Sequence, residues 1–385
     1  MRRLLGLTIV VLFVGLAGLY AFAPYLAALV LEGSPSLTWR NVGQYAEVKG
    51  ASPPSVIRTN STTELEPTLD AMFTESGGRA LLAAQNGAIM LEHYGPGTNS
   101  ETRLNSFSMA KSLIGALIFK ALAEGRIESL DQTLGELLPS APGLNAMTLR
   151  KILTRRSGVH FDSRTNSFGA PGSYKDSDTF PNPFGPLARL YFQGLDAIVG
   201  GLTMDASPPD AFNYQNVNTA LLGAVLERLY GQKLEALLSE KIWVPAGAED
   251  AVWREPSAES SVSAYCCLYA TARDWLRIGM FIGFNGSPAQ PFLPNDLWRE
   301  FPGLDVPLSV RLNDHYGNHT LQNVLDRKGE DLQGPFSYFM GQNGQILYIM
   351  PEKSLVAYRA GEQYQLLHST LYGAWNSMPH RLLQQ

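Results

Sequence analysis

The sequence predicts an α/β (α+β) sandwich: one antiparallel sheet built from both chain ends, flanked by helices, with a mostly helical second lobe. Three observations carry this. Early in the chain, "ALLAAQNGAIMLEHYG" sets two apolar runs around Asn86-Gly87, a strong hairpin signal. Near the end, "GQILYIM" and "SLVAYRAG" flank "PEK" and read as a second hairpin. Between them, apolar residues recur at helical spacing in short pieces joined by Pro-, Gly- and Asn-rich loops. Strands at both ends with helices between them favour a sheet closed by the two termini.

The chain of 385 residues has room for two domains or one bilobed unit. Its net charge of −5 and lack of any long basic run argue against a nucleic-acid partner. Arg2 and Arg3 precede an uncharged stretch from Leu4 to Leu31, and crossing a hydrocarbon core takes about 20 residues. Residues 1–31 are therefore expected to be a membrane anchor, single-pass, with the N-terminus cytoplasmic and the remainder extracytoplasmic or periplasmic. Cleavage after Ala21-Phe22-Ala23 is the rival reading, disfavoured by Pro24 and by the length of the stretch. Residues 32–64, rich in Pro and Ser, read as a spacer, and residues 65–378 as the folded domain.

Within that domain, "FSMAKSLIGALIF" begins a helix apolar on most sides, running from Ser108 through Ala123 and ending at Gly125. The loop from Asp162 to Asn182 is long and full of turn formers, as binding loops often are. "NTALLGAVLERLYG" and "TARDWLRIGMFIG" are further helices, and "QYQLLHSTLYGAW" is expected to form a terminal one. Cys266 and Cys267 are neighbours, where a disulfide closes a strained ring, and they read as small apolar residues in a buried stretch.

Lys111 is the residue that needs explaining, because a lysine at the mouth of a buried helix is rarely buried without a use. Ser108 and Lys111 stand three apart on one helix face, within mutual reach. A lysine in apolar surroundings loses basicity and can take a proton from the serine near neutral pH. Tyr214-x-Asn216 precedes a helix, and a tyrosine hydroxyl there can relay a proton to the leaving group while Asn216 holds substrate. A second Tyr-x-Asn, Tyr316-Gly317-Asn318, lies in a strand-like stretch near the final sheet, and replacing Tyr316 is expected to cost little. In "MGQNGQILYI", Gly344 opens a strand, and the Gln345 N–H is a candidate partner of the Ser108 N–H in an oxyanion hole.

In this order, Ser108-x-x-Lys111, Tyr214-x-Asn216 and "GQNGQILYIMPEKSLVAYRAG" resemble the serine β-lactamase and penicillin-binding-protein superfamily. The likeness is to its class C-like esterases and 6-aminohexanoate-dimer (nylon oligomer) hydrolases. "TLRKILTRRSGVHF" and "YATARDWLRIG" support it, and it spans roughly residues 65–375. The resemblance implies a β-lactamase/transpeptidase-like sandwich and an acyl-serine intermediate on Ser108, with Lys111 and Tyr214 as the base system. It also implies substrate or oxyanion contacts from Asn216, Asn343, Gly344 and Gln345, and loosely from Tyr174 in the long loop.

Lactamases and transpeptidases of this superfamily carry Lys-Thr-Gly where Gln342-Asn343-Gly344 stands here, so the cation that holds a substrate carboxylate is missing. Neutral esters or linear amides are thus the expected substrates. D-Ala-D-Ala carboxypeptidase or weak β-lactamase activity, or a non-catalytic sensor of the same fold, are the alternatives. Gly-x-Ser-x-Gly, His-Glu-x-x-His and paired-cysteine metal motifs do not occur, and no cofactor or metal is expected. His160, His315 and His319 read as structural or surface residues, and Asp274 as a cap or an ion-pair partner.

Overall fold

Asn86 and Gly87 adopt φ of 51° and 75°, the two left-handed positions that a two-residue hairpin turn requires. The computed structural model in which they lie describes residues 15, 18, 25–161, 185–204, 212–311, 316–325, 333–362, 378 and 381–383. Its strands are β1 (Gln44–Val48), β2 (Arg58–Thr62), β3 (Gly78–Gln85), β4 (Ala88–Tyr94), β5 (Arg103–Asn105), β6 (Ala251–Glu255) and β7 (Leu268–Thr271). They continue with β8 (Gly286–Ser287), β9 (Gln290–Pro291), β10 (Tyr316–Gly317), β11 (Thr320–Leu325), β12 (Gln333–Gly341), β13 (Gln345–Met350) and β14 (Leu355–Gly361).

The main sheet has eight strands in the order β10-β11-β12-β13-β14-β3-β4-β2. Its two chain ends meet at β14 and β3, paired antiparallel from Leu355–Gln85 to Gly361–Gly78. The sheet assembled from both termini is therefore as expected, with one parallel pair, β2–β4, making it mixed. The Ala272–Gly283 helix covers one face. It lies so close that a Cβ on Gly279 would sit 2.5 Å from Val356 Cγ1. Thr271 caps it, and Asp274 pairs with Arg277 at 2.7 Å, the structural role its sequence context suggested. In the helical lobe, the Ala110–Ala123 and Asn216–Tyr230 helices pack together. Gly125 and Gly231 end them with φ of 68° and 65°.

Two expectations are corrected. Residues 32–64 are not a free spacer. β1 pairs with β6 in a second sheet, β1-β6-β7-β5, that the helical reading of the middle had missed. Glu32 forms a 2.8 Å ion pair with the buried Arg254, and the Ser36 carbonyl accepts from Asn105 Nδ2 at 2.9 Å. Backbone pairing and a buried charge overrode a composition that looked like linker. The structure also joins Cys266 and Cys267 in a disulfide, at a turn where Cys267 takes φ of 67°.

Of the expected anchor, the continuous described part is the Tyr25–Glu32 helix, and among the described residues no helix is long and apolar enough to cross a membrane. The long loop with Tyr174, His315 and the expected terminal helix lie outside the described residues.

Candidate active site

The chain leading to Ser108 is pinned from both sides. Asn105 Oδ1 accepts from the Phe107 N–H at 2.8 Å, and its Nδ2 donates to Tyr269 Oη at 3.0 Å. Ser106 Oγ accepts from the Leu268 N–H at 3.1 Å. Phe107 then takes φ of 42°, a conformation an aromatic residue seldom adopts. Such a residue costs about 1–3 kcal/mol and persists where its surroundings overdetermine it. Ser108 follows in a single 3₁₀ turn, Phe107–Met109, that runs directly into the Ala110–Ala123 helix.

Lys111, one helical turn on, is only 2% exposed. Its Nζ lies 2.8 Å from Ser108 Oγ and donates to the Tyr265 carbonyl at 2.7 Å. Among the described residues no carboxylate pairs with it. Burial, and then the nearby Arg155 guanidinium, push its pKa well below the ordinary lysine value. An uncharged amine that gives one N–H to a carbonyl keeps its lone pair free for the serine proton.

Tyr214, 37% exposed, stands beside this pair, with Lys111 Nζ 5.3 Å from its ring centroid. Asn216 is the first residue of the Asn216–Tyr230 helix and partly exposed next to it. Tyr316, which the sequence set apart, is also here. Its ring meets that of Tyr214 edge to face, with centroids 6.1 Å apart. Its hydroxyl accepts from Arg155 Nε at 2.9 Å. His319 is buried, bonded to the Leu153 carbonyl at 2.9 Å and to Thr219 Oγ1 at 3.1 Å, a structural role as expected.

Asn343, Gly344 and Gln345 make their observed contacts inside the sheet. Arg359 Nη1 donates to the Asn343 and Gly344 carbonyls at 3.0 and 2.7 Å. The Gln345 side chain is buried and donates to the Gly361 carbonyl at 2.7 Å. The strand residue that closes on the serine loop is Gly341, where a Cβ would fall 2.2 Å from the Ser106 carbonyl oxygen.

Sequence reasoning did not find Tyr265, Arg155, Tyr316 or Gly341 as parts of this site. Tyr316 left a trace as a second Tyr-x-Asn, and Gly341 as a glycine ending a strand. The Tyr265 carbonyl left none, because any residue type supplies one.

The family model described as Beta-lactamase matches residues 70–357. Among solved structures, the chain is similar to a 6-aminohexanoate-dimer hydrolase homologue from Bacillus anthracis. The two share 20% identity and a TM-score of 0.69, over 88% of this chain and 92% of that one. A penicillin binding protein from Bacillus halodurans aligns at 16% identity and TM-score 0.58, over 82% of this chain and 100% of that one. EstCE1, described as a hydrolase with promiscuous acyltransferase activity, aligns at 14% identity and TM-score 0.55, over 81% and 96% of the two chains. At these identities the likeness is one of fold.

Proposed function

Because the chain belongs to the β-lactamase family, whose fold is that of serine hydrolases, we propose that it cleaves esters or linear amides through an acyl-serine on Ser108. The observation that carries this reading is the buried Lys111, unpaired with any carboxylate among the described residues, with its Nζ 2.8 Å from Ser108 Oγ. Lys111 takes the hydroxyl proton as Ser108 Oγ bonds to the substrate carbonyl carbon. Collapse of the tetrahedral intermediate breaks the bond to the leaving alcohol or amine, which takes the proton back, with Tyr214 as the relay. Water then repeats the sequence and releases the acid. Asn216 is the candidate substrate contact, since it stands partly exposed beside Tyr214.

Gln342 occupies the place where relatives with Lys-Thr-Gly hold a cation, which supports neutral substrates over carboxylate-bearing ones. A panel of p-nitrophenyl esters, D-amino-acid amides, 6-aminohexanoate oligomers and nitrocefin tests this, alongside a fluorophosphonate probe. Acylation of Ser108 with neutral esters preferred supports the proposal. Silence over the whole panel supports a sensor, and preference for nitrocefin or a D-alanyl peptide supports the lactamase or carboxypeptidase alternative.

The uncharged stretch from Leu4 to Leu31 supports a further part of the proposal, anchoring with the domain outside the cytoplasm. With Glu32 paired to Arg254, the domain would then sit against the membrane without a tether. Protease added to spheroplasts should digest the domain and spare a tag at residue 1. A soluble mature protein beginning near Pro24 would refute the anchor.

A further inference from the structure

Arg155 is fully buried, yet among the described residues no carboxylate pairs with it. Burying a guanidinium without a counter-ion is expensive, so neutral acceptors must hold it. They come from three places. Nε donates to Tyr316 Oη at 2.9 Å, Nη2 to Thr219 Oγ1 at 2.9 Å, and Nη1 to the Gln215 carbonyl. The Arg155 carbonyl accepts from the Asn213 N–H at 2.8 Å. Arg155 thus grips the chain on both sides of Tyr214. Its guanidinium carbon lies 4.7 Å from the Tyr214 ring centroid and 5.8 Å from that of Tyr316.

We infer that Arg155 is a positioning residue, which fixes the Tyr214 ring beside Lys111 and sets a permanent positive charge next to the amine. The inference rests on the reading of Ser108 and Lys111 as nucleophile and base. The Arg155 guanidinium and the Lys111 amine reach the same aromatic ring, since Lys111 Nζ is 5.3 Å from its centroid. Cation–π attraction holds Arg155 there, and the like charge disfavours protonation of its neighbour. Among the described residues, the other titratable groups facing Lys111 are the Tyr265 ring, 5.7 Å from Nζ, and, more distantly, His319, while Tyr316 packs against the Tyr214 ring. Burial holds His319 well below its ordinary pKa and raises those of Tyr265 and Tyr316, so none of the three supplies a negative charge near neutral pH. Among the described residues, Arg155 is left as the charged group acting on the amine.

The test combines two readouts on the full chain. The first is the pH dependence of fluorophosphonate acylation. The second is an NMR titration of ¹³C-lysine-labelled protein, with the Lys111 signal assigned by its loss in Lys111→Ala. Arg155→Gln should move both the acid limb and the Lys111 titration to higher pH by about half a unit or more. Arg155→Lys keeps the charge and loses the planar fork, so the limb should stay while the plateau rate falls several-fold. If Arg155→Gln does not fold, Thr219→Val removes one anchor and keeps the charge, and should lower the plateau with the limb unmoved. An unmoved Lys111 titration in folded Arg155→Gln, or full plateau rates in Arg155→Lys or Thr219→Val, would overturn the inference. A wild-type chain that resists the probe would refute the Ser108 reading alone, because the lysine titration still reports on Arg155.

Discussion

The rings of Tyr214 and Tyr316 meet edge to face at 6.1 Å with their planes at 88°, although each comes from a separate Tyr-x-Asn sequence. The two phenols have different partners. Tyr214 faces solvent beside Lys111, whereas the Tyr316 hydroxyl accepts from a buried guanidinium.

Tyr214→Phe should therefore slow turnover with little change in melting temperature, because the residue is exposed. Tyr316→Phe should lower stability by about 1–3 kcal/mol, since it leaves the Arg155 Nε–H buried without an acceptor. The expectation that replacing Tyr316 costs little applies to turnover, which the same variant tests. Thermal denaturation beside esterase assays separates the two, and a Tyr316→Phe protein as stable as wild type would count against the network.

Lys111→Ala should reduce acylation by about 10²–10⁴-fold or more, with the Ser108→Ala/Lys111→Ala double variant no worse than either single one. The proposed base role needs Lys111 as the neutral amine, so kcat/KM should rise with pH through a pKa well below the ordinary value. Stability carries the opposite sign. An unfolded lysine binds its proton up to about pH 10.4, while the buried one does not, so the native state loses stability as pH falls from there to the depressed pKa. Lys111→Ala removes that loss, and its melting temperature at pH 7 should hold or rise. A folded Lys111→Ala retaining more than about a tenth of wild-type activity would end the base assignment.

Gly341→Ala should disturb the serine loop, because the new methyl would fall 2.2 Å from the Ser106 carbonyl oxygen and 3.0 Å from Phe107 Cβ. Backbone cannot swing aside as a flexible side chain does. The variant should lose acylation rate by a larger factor than Gln342→Ala, which changes an exposed position on the adjoining turn. Equal rates for Gly341→Ala and wild type would mean that the strand end does not support the loop.

Glu32→Gln should destabilise the domain by about 2 kcal/mol, since it removes the carboxylate paired with a buried arginine while part of the site remains open to water. Urea titration measures this. A midpoint identical to wild type would mean that the Glu32–Arg254 pair adds nothing to the stability of the domain.

The spacing of Ser108 and Lys111 was legible from the sequence because helical geometry alone brings residues three apart onto one face. Both hairpins were legible for a similar reason: turn residues such as Asn86-Gly87 and a period of two are local signals. β1 and β6 were not, because a short strand is stabilised by a distant partner rather than by its own pattern. The surroundings of Lys111 lie in that second category. Its carbonyl acceptor comes from Tyr265, its neighbouring charge from Arg155, and the wall behind Tyr214 from Tyr316. The sequence by itself determined which serine and lysine stand within reach of one another. Only the tertiary structure decided that the lysine is buried with no carboxylate beside it among the described residues, because burial and charge depend on segments brought together from across the chain.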